Sequence, residues 1–286
     1  MPFIALDVEE IVRRALAEDI GTGDVTTLLT VPEEAQARAV MWAKAEGIVA
    51  GLPVVAEVYR QVDPTLTVEF AVADGSRVLS GDAICVIAGS AQSILTGERV
   101  ALNFVQRLSG IATKTARFVD LVAGMRARIV DTRKTTPGLR SLEKYAVRVG
   151  GGHNHRFGLY DAILIKDNHI QASGGITAAV QRALAQAPHT MTVTVECETL
   201  EQAQEALAAG ADILLLDNMS PEQLAEAVAQ VGGQVTIEAS GGVTEETVAA
   251  IAQAGVDIIS VGALTHSAVA LDISLDLETL TSRPTP

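Results

Sequence analysis

Three short segments hold residue types suited to gripping small anions. Asp131-Thr132-Arg133-Lys134-Thr135 sets two cations beside hydroxyls and backbone N–H groups directly after a β-branched run. Arginine can meet a carboxylate with two parallel hydrogen bonds, so this spacing suits a carboxylate or a phosphate. Gly150-Gly151-Gly152-His153-Asn154-His155-Arg156 combines glycines, which let backbone amides approach a ligand, with polar donors. Lys166-Asp167-Asn168-His169 ends a second apolar run. Its lysine could form a Schiff base or act as a fixed cation, and the other anion ligands around it suit the fixed cation better. Between Asp131 and His169, seven Lys/Arg stand against four acids, a net of +3 in a chain of -14, which leaves -17 for the rest. Charge clusters are usually solvated faces. Here the cations are interleaved with glycines and flank the apolar Ala162–Ile165, which points to a concave anion site.

Carboxylates come next along the chain. Glu196 and Asp217 end two successive apolar runs. Two carboxylates opposite a cationic wall suit Mg²⁺ held against a polyphosphate, with water and substrate oxygens as its other ligands. Ser240-Gly241-Gly242 and then Gly262 with Thr265 follow the last two runs, where backbone amides and a short helix can receive a phosphate. His153, His155 and His169 could instead form a zinc cluster. No closely spaced cysteine accompanies them, and the glycine loop is a poor scaffold for a metal.

The elements that must position these groups alternate. β-Branched runs at Ala127–Asp131, Asp161–Lys166, Met191–Glu196, Asp212–Asp217, Gln234–Ser240 and Val256–Val261 predict parallel strands covered by helices. Thr199 is placed to cap a helix closed by Gly210. Ser220-Pro221-Glu222-Gln223 reads as a capping box, with Gly232 after its helix, and Thr244 opens another helix ending at Gly255. Nearly every strand ends in a reactive side chain. In a (β/α) barrel those ends converge on one mouth, whereas an open sheet converges only at its switch point. About six units are visible where a full barrel has eight, so the barrel is expected to be incomplete. Before it, an amphipathic helix from the N-terminus and strands at Ala37–Ala43, Leu66–Ala71 and Ala83–Ile87 predict a smaller α/β domain. A long helix from Glu98 to about Val122 bridges the two, with Arg99 and Arg107 near its start as solvated charges or site residues. The expected division is residues 1–112 and 113–270, with the tail 271–286 packing on the first domain.

Composition narrows the class. With 286 residues, 48% of them hydrophobic and 20% charged, the chain is globular. The strong negative charge argues against a nucleic-acid or anionic-membrane partner. The N-terminus lacks the pattern of a signal peptide, and no apolar run approaches the roughly 20 residues of a membrane span. A cytoplasmic protein is expected, with Cys85 and Cys197 reduced.

Together these segments resemble the quinolinate phosphoribosyltransferase family. The resemblance runs through EDIGTGDVTT (Glu18–Thr27), ERVALNFVQRLSGIAT (Glu98–Thr113), DTRKTTPGLR (Asp131–Arg140) and KYAVRVGGGHNHRFGL (Lys144–Leu159). It continues through LIKDNH (Leu164–His169), VECE (Val195–Glu198), LLLDN (Leu214–Asn218) and EASGG (Glu238–Gly242). It implies an α/β fold of the type II phosphoribosyltransferases: an N-terminal sandwich-like domain, an incomplete barrel, and a homodimer. It also implies a Mg²⁺-dependent reaction of quinolinate with phosphoribosyl pyrophosphate that yields nicotinate mononucleotide, pyrophosphate and CO2 in NAD biosynthesis. By resemblance, Arg133, Lys134, His155 and Arg156 line the quinolinate pocket, and Arg99 reaches it from a partner subunit. Lys166 lies at the junction of the two substrates, and Glu196 and Asp217 lie near the ribose and metal. Lys134, Lys166, Glu196 and Asp217 would carry the chemistry, and Ser240, Gly241 and Gly262 would cradle the 5′-phosphate. Alternatives are a molybdenum-transport-associated paralogue, a non-catalytic anion binder, and a Schiff-base aldolase using Lys166.

Overall fold

Alternation of strand and helix holds along most of the chain. The computed structural model describes residues 5–231 and 233–279. Met1–Ile4, Gly232 and the tail beyond Thr279, all touched by sequence expectations above, lie outside the described residues. Clustering of contacts divides the chain into two compact units, 1–114 with 136–150 and 268–286, and 115–135 with 151–267.

The first unit opens with α1 (Ala5–Ile20) and α2 (Val25–Thr30), where the Asp24 carboxylate accepts from Thr27 N and caps the short helix. There follow β1 (Gln36–Ala43), β2 (Gly47–Ile48), α3 (Leu52–Val62), β3 (Thr67–Phe70), β4 (Arg77–Val78) and β5 (Ala83–Ser90). The long helix α4 (Ala91–Leu121) comes next. It begins seven residues before the expected Glu98, because Gly97 does not break it. A Cβ there would come within 3.0 Å of the Tyr59 ring, so this glycine marks a close approach of α3. The antiparallel sheet has the order β12-β1-β5-β3, in which β12 (Ile273–Thr279) pairs with β1 along its length. The strand β12 and the two-residue pair β2-β4 had no counterpart in the sequence expectations.

The second unit is built on β6 (Arg128–Val130). After it, α5 (Arg140–Val149) packs with the first unit. Then come β7 (Ile163–Ile165), α6 (Asp167–Ser173), α7 (Ile176–Gln186), β8 (Val193–Cys197), α8 (Leu200–Ala209), β9 (Ile213–Asp217), α9 (Pro221–Val231), β10 (Thr236–Ser240), α10 (Val248–Gln253), β11 (Ile258–Ser260) and α11 (Ala263–His266). The six strands form one parallel sheet of order β6-β11-β10-β9-β8-β7, a partial (β/α) barrel. Capping follows the sequence. Thr199 Oγ1 accepts from Gln202 N, while Ser220 and Gln223 exchange reciprocal hydrogen bonds of 2.9 and 3.3 Å. The expected helix at Thr244 is corrected. Thr247 Oγ1 accepts from Thr244 N at 2.9 Å, which closes residues 244–247 as a turn, and α10 begins only at Val248.

Register separates the two faces of this sheet. Side chains alternate along a strand, and partners in register share a face. Ile165, Val195, Leu214, Leu216, Ile237, Ala239 and Ile259 lie on one face and are all buried. Thr194, Glu196, Asp217, Glu238, Ser240 and Ser260 lie on the other. The first face is therefore apolar, while the second mixes these polar groups with Leu164, Ile213, Leu215 and Ile258, its acids and serines standing toward the C-terminal ends.

Candidate functional site

The site is assembled from the C-terminal ends of these strands. At the end of β6, His153 adds a parallel bridge to Val130, and its N–H donates to Ile129 O at 2.9 Å. The glycine-rich segment is thereby laid along the sheet edge. Asp131, fully buried, accepts from Asn154 Nδ2 at 2.6 Å and from His155 N at 2.9 Å. His155 Nδ1 accepts from Arg156 N at 2.7 Å, and its Nε2 lies 3.4 Å from Glu238 Oε1. Arg156 donates through Nη1 to Ala162 O at 3.2 Å. Burial, and then the nearby charge of Arg133, hold the Arg156 guanidinium below its usual pKa. The charge of Asp161 acts the other way and offsets this only in part. That arrangement favours an anionic ligand.

Lys134 is exposed, and its backbone oxygen accepts from the buried Thr265 hydroxyl at 2.7 Å. A Cβ on Gly262 would lie 3.1 Å from the Lys134 side chain, so the lysine's aliphatic stem runs close over that glycine. Lys166 precedes α6, where its N–H donates to His169 Nδ1 at 3.0 Å, and its ammonium pairs directly with Glu196. An amine engaged in this way is a cation rather than a nucleophile, which counts against the Schiff-base reading. Asp217 shares the polar face with Glu196 but stands one pleat farther along, because Glu196 is in register with Leu215 and Asp217 with Ser240.

Backbone shape explains the SGG segment. Asn218, just after Asp217, has φ +57, a left-handed conformation unusual for any residue but glycine. Its side chain donates to Asp217 Oδ2 at 2.7 Å and its backbone N–H to Ser240 O at 2.9 Å. Gly241 has φ +88, and a Cβ there would lie 2.2 Å from Asn218 Oδ1. Only glycine fits.

Ten of the sequence-predicted site residues belong to the second unit: Arg133, Lys134, His155, Arg156, Lys166, Glu196, Asp217, Ser240, Gly241 and Gly262. The structure joins Arg133 with Arg156, Lys134 with Gly262, and Lys166 with Glu196. Arg99 belongs to the first unit and is exposed on α4. Arg107 braces the fold. It donates to the fully buried Glu143 at 2.8 Å and to Ala268 O at 3.0 Å, and Glu143 also accepts from Thr136 N and Oγ1. Among the described residues no three of His, Cys, Asp and Glu gather as a metal site, His153, His155 and His169 included. The site-assigned residues did not include Asp131, Asn154, Asn218 or Glu238. Glu238 is buried within β10. The available signal was an acidic residue between the apolar Ile237 and Ala239 of a strand.

Comparison with known proteins follows the same lines. Residues 24–109 match the N-terminal domain model and residues 111–276 the C-terminal domain model of quinolinate phosphoribosyl transferase. A probable nicotinate-nucleotide pyrophosphorylase (carboxylating) from Bacillus subtilis is 46% identical over 95% of this chain and 94% of its own length. A chloroplastic nicotinate-nucleotide pyrophosphorylase (carboxylating) from Arabidopsis thaliana is 46% identical over 96% of this chain and 83% of its own. Among solved structures, NadC from Streptococcus pyogenes superposes with a TM-score of 0.94 at 44% identity, covering 98% of this chain and 99% of that one. In the described residues no helix is long and apolar enough to cross a membrane.

Proposed function

We propose, since the chain belongs to the quinolinate phosphoribosyl transferase family, that it converts quinolinate and phosphoribosyl pyrophosphate into nicotinate mononucleotide, pyrophosphate and CO2 for NAD biosynthesis. The gathering of Arg133, His155 and Arg156 on two segments tied together by Asp131 at the end of β6 is the observation that carries the choice of a dianionic substrate. Arg133, Lys134, His155 and Arg156 hold the two ring carboxylates, and Lys166 lies where the two substrates meet. Ser240, Gly241 and Gly262 receive the 5′-phosphate, where the absence of side chains at two of the three lets backbone amides approach.

In the reaction the pyridine nitrogen forms a bond to the anomeric carbon of the ribose as the bond to pyrophosphate breaks. Positive charge builds on the ribose, and Glu196 and Asp217 stabilise it from the polar face of the sheet. The quaternised ring then accepts the electron pair left when the C2–carboxylate bond breaks, and C2 takes up a proton. No covalent enzyme intermediate is needed. The protein holds two anionic reactants in register, which by itself removes much of the barrier.

Glu196 and Asp217 fit a magnesium ion. They would offer it hard oxygen ligands from one face of the sheet and would leave its other positions to water and phosphate oxygens. When bound it neutralises charge on the departing pyrophosphate. A homodimer, with Arg99 offered to the partner's site, and a cytoplasmic location complete the reading.

The test is release of labelled CO2 from carboxyl-labelled quinolinate with phosphoribosyl pyrophosphate and Mg²⁺. Turnover with quinolinate and poor use of nicotinate are expected. No turnover, or equal use of nicotinate, removes the assignment.

A further inference from the structure

One buried carboxylate joins the roots of both arginine-bearing segments. Asp131 has no exposed surface and stands two residues before Arg133. Its Oδ2 accepts from Asn154 Nδ2 at 2.6 Å and its Oδ1 from His155 N at 2.9 Å, and these two residues immediately precede Arg156. Its own N–H donates to His153 O at 3.1 Å, so backbone and side chain together tie the end of β6 to residues 153–155.

This tie answers an electrostatic problem. Arg133 and Arg156 carry like charges on two segments joined at the end of β6, and Asp161 offsets the effect of Arg133 on Arg156 only in part. Like charges repel, most strongly where they are partly buried. Ordinary loops would part. The chain before each arginine must therefore be held by something other than the ligand, and Asp131 is so placed. An ionised carboxylate is acceptor-only and can take both donors at once. Asparagine in its place would turn an NH₂ group toward one of them. The Arg156 N–H donating to His155 Nδ1 extends the same brace to the arginine itself.

We propose that Asp131 is a positioning residue that sets the spacing of Arg133 and Arg156 to match the two adjacent carboxylates of a pyridine dicarboxylate. The proposal rests on the function proposed above. Asp131 touches neither substrate; it acts through the two arginines.

The experiment compares Asp131→Asn, Asn154→Asp and the double exchange in the full-length enzyme, with KM for quinolinate and for phosphoribosyl pyrophosphate measured separately. Each single variant is expected to raise the quinolinate KM at least ~10-fold while leaving the phosphoribosyl pyrophosphate KM within about twofold. The double variant restores one acceptor carboxylate facing one amide, with the ends exchanged, and keeps an oxygen for His155 N. It is expected to recover most of the loss, as contacting residues do when their deletions are not additive. Single variants with unchanged KM overturn the proposal. So does an equal rise for both substrates, a double variant no better than the singles, or failure of singles and double alike to fold. A wild-type enzyme that does not turn over quinolinate refutes the function itself, and that result is read before any variant is made.

Discussion

The two sheets use polar residues in opposite ways. Around the antiparallel sheet, buried and half-buried polar groups complete one another. Ser109 Oγ accepts from Ala50 N, Asp74 accepts from the backbone N–H groups of Gly51 and Leu52, and Glu143 takes Arg107 and Thr136. On the parallel sheet the polar side chains share one face near the strand ends. Orphan atoms differ likewise. Among the described residues, the buried atoms without a hydrogen-bond partner are the hydroxyls of Tyr59 and Ser274 in the first unit and, in the second, Arg156 Nε and Glu238 Oε1, whose groups otherwise meet Ala162 O through Arg156 Nη1 and, at 3.4 Å, His155 Nε2. One unmet atom on a charged group costs more than an unmet hydroxyl, and a ligand can complete it. The first unit's polar groups largely complete one another, whereas the second unit's acids and serines gather toward its strand ends.

Four measurements test this contrast. Glu143→Ala is expected to have the largest effect on stability, about 3–5 kcal/mol, because Arg107 loses its buried partner. Denaturant unfolding reads it, and a change near zero would show that first-unit polar groups are dispensable. Arg133→Ala is expected to spare folding but to lose at least ~2 kcal/mol of transition-state stabilisation, roughly 30-fold in kcat/KM. Near-normal kinetics would make Arg133 peripheral. Gly241→Ala is expected to cost at least ~1 kcal/mol of stability from its left-handed φ of +88, with a higher KM for phosphoribosyl pyrophosphate as its Cβ displaces Asn218. An unchanged melting temperature would argue against this backbone geometry.

The smallest effect concerns one thiol from each unit. Burial pushes Cys85 and Cys197 up from 9.0 to about 12. Above about pH 9 the unfolded chain loses these protons while the folded chain keeps them, so the unfolded state binds fewer and stability falls as pH rises. Below about pH 8 both states are protonated and there is no effect. The double replacement Cys85→Ala with Cys197→Ala is expected to flatten the decline between about pH 9 and 11. Parallel curves would assign that decline to other groups.

Much of the barrel was legible because its signals are local. The six β-branched runs became six strands, and Thr199 and the Ser220–Gln223 box capped the helices they announced. Within helices, glycine was legible only as a terminator. At Gly97 it lies inside a helix, a fact that depends on Tyr59, 38 positions away in the sequence. Strand β12 was missed because its partner β1 lies more than 200 positions earlier, and nothing local says that the two pair.

By itself the sequence determined which residue types exist, their order, and the +3 island within an acidic chain. Those features were enough to indicate a parallel α/β fold, an anion site and a family. Tertiary structure decided which charges meet. Register placed Glu196, Asp217 and Glu238 on one face, burial made Asp131 a brace, and packing sent Arg107 to Glu143. The physical reason is range. Periodicity and caps act over a few residues, whereas Coulomb forces, burial and hydrogen-bond geometry act between neighbours in space, whatever their separation along the chain.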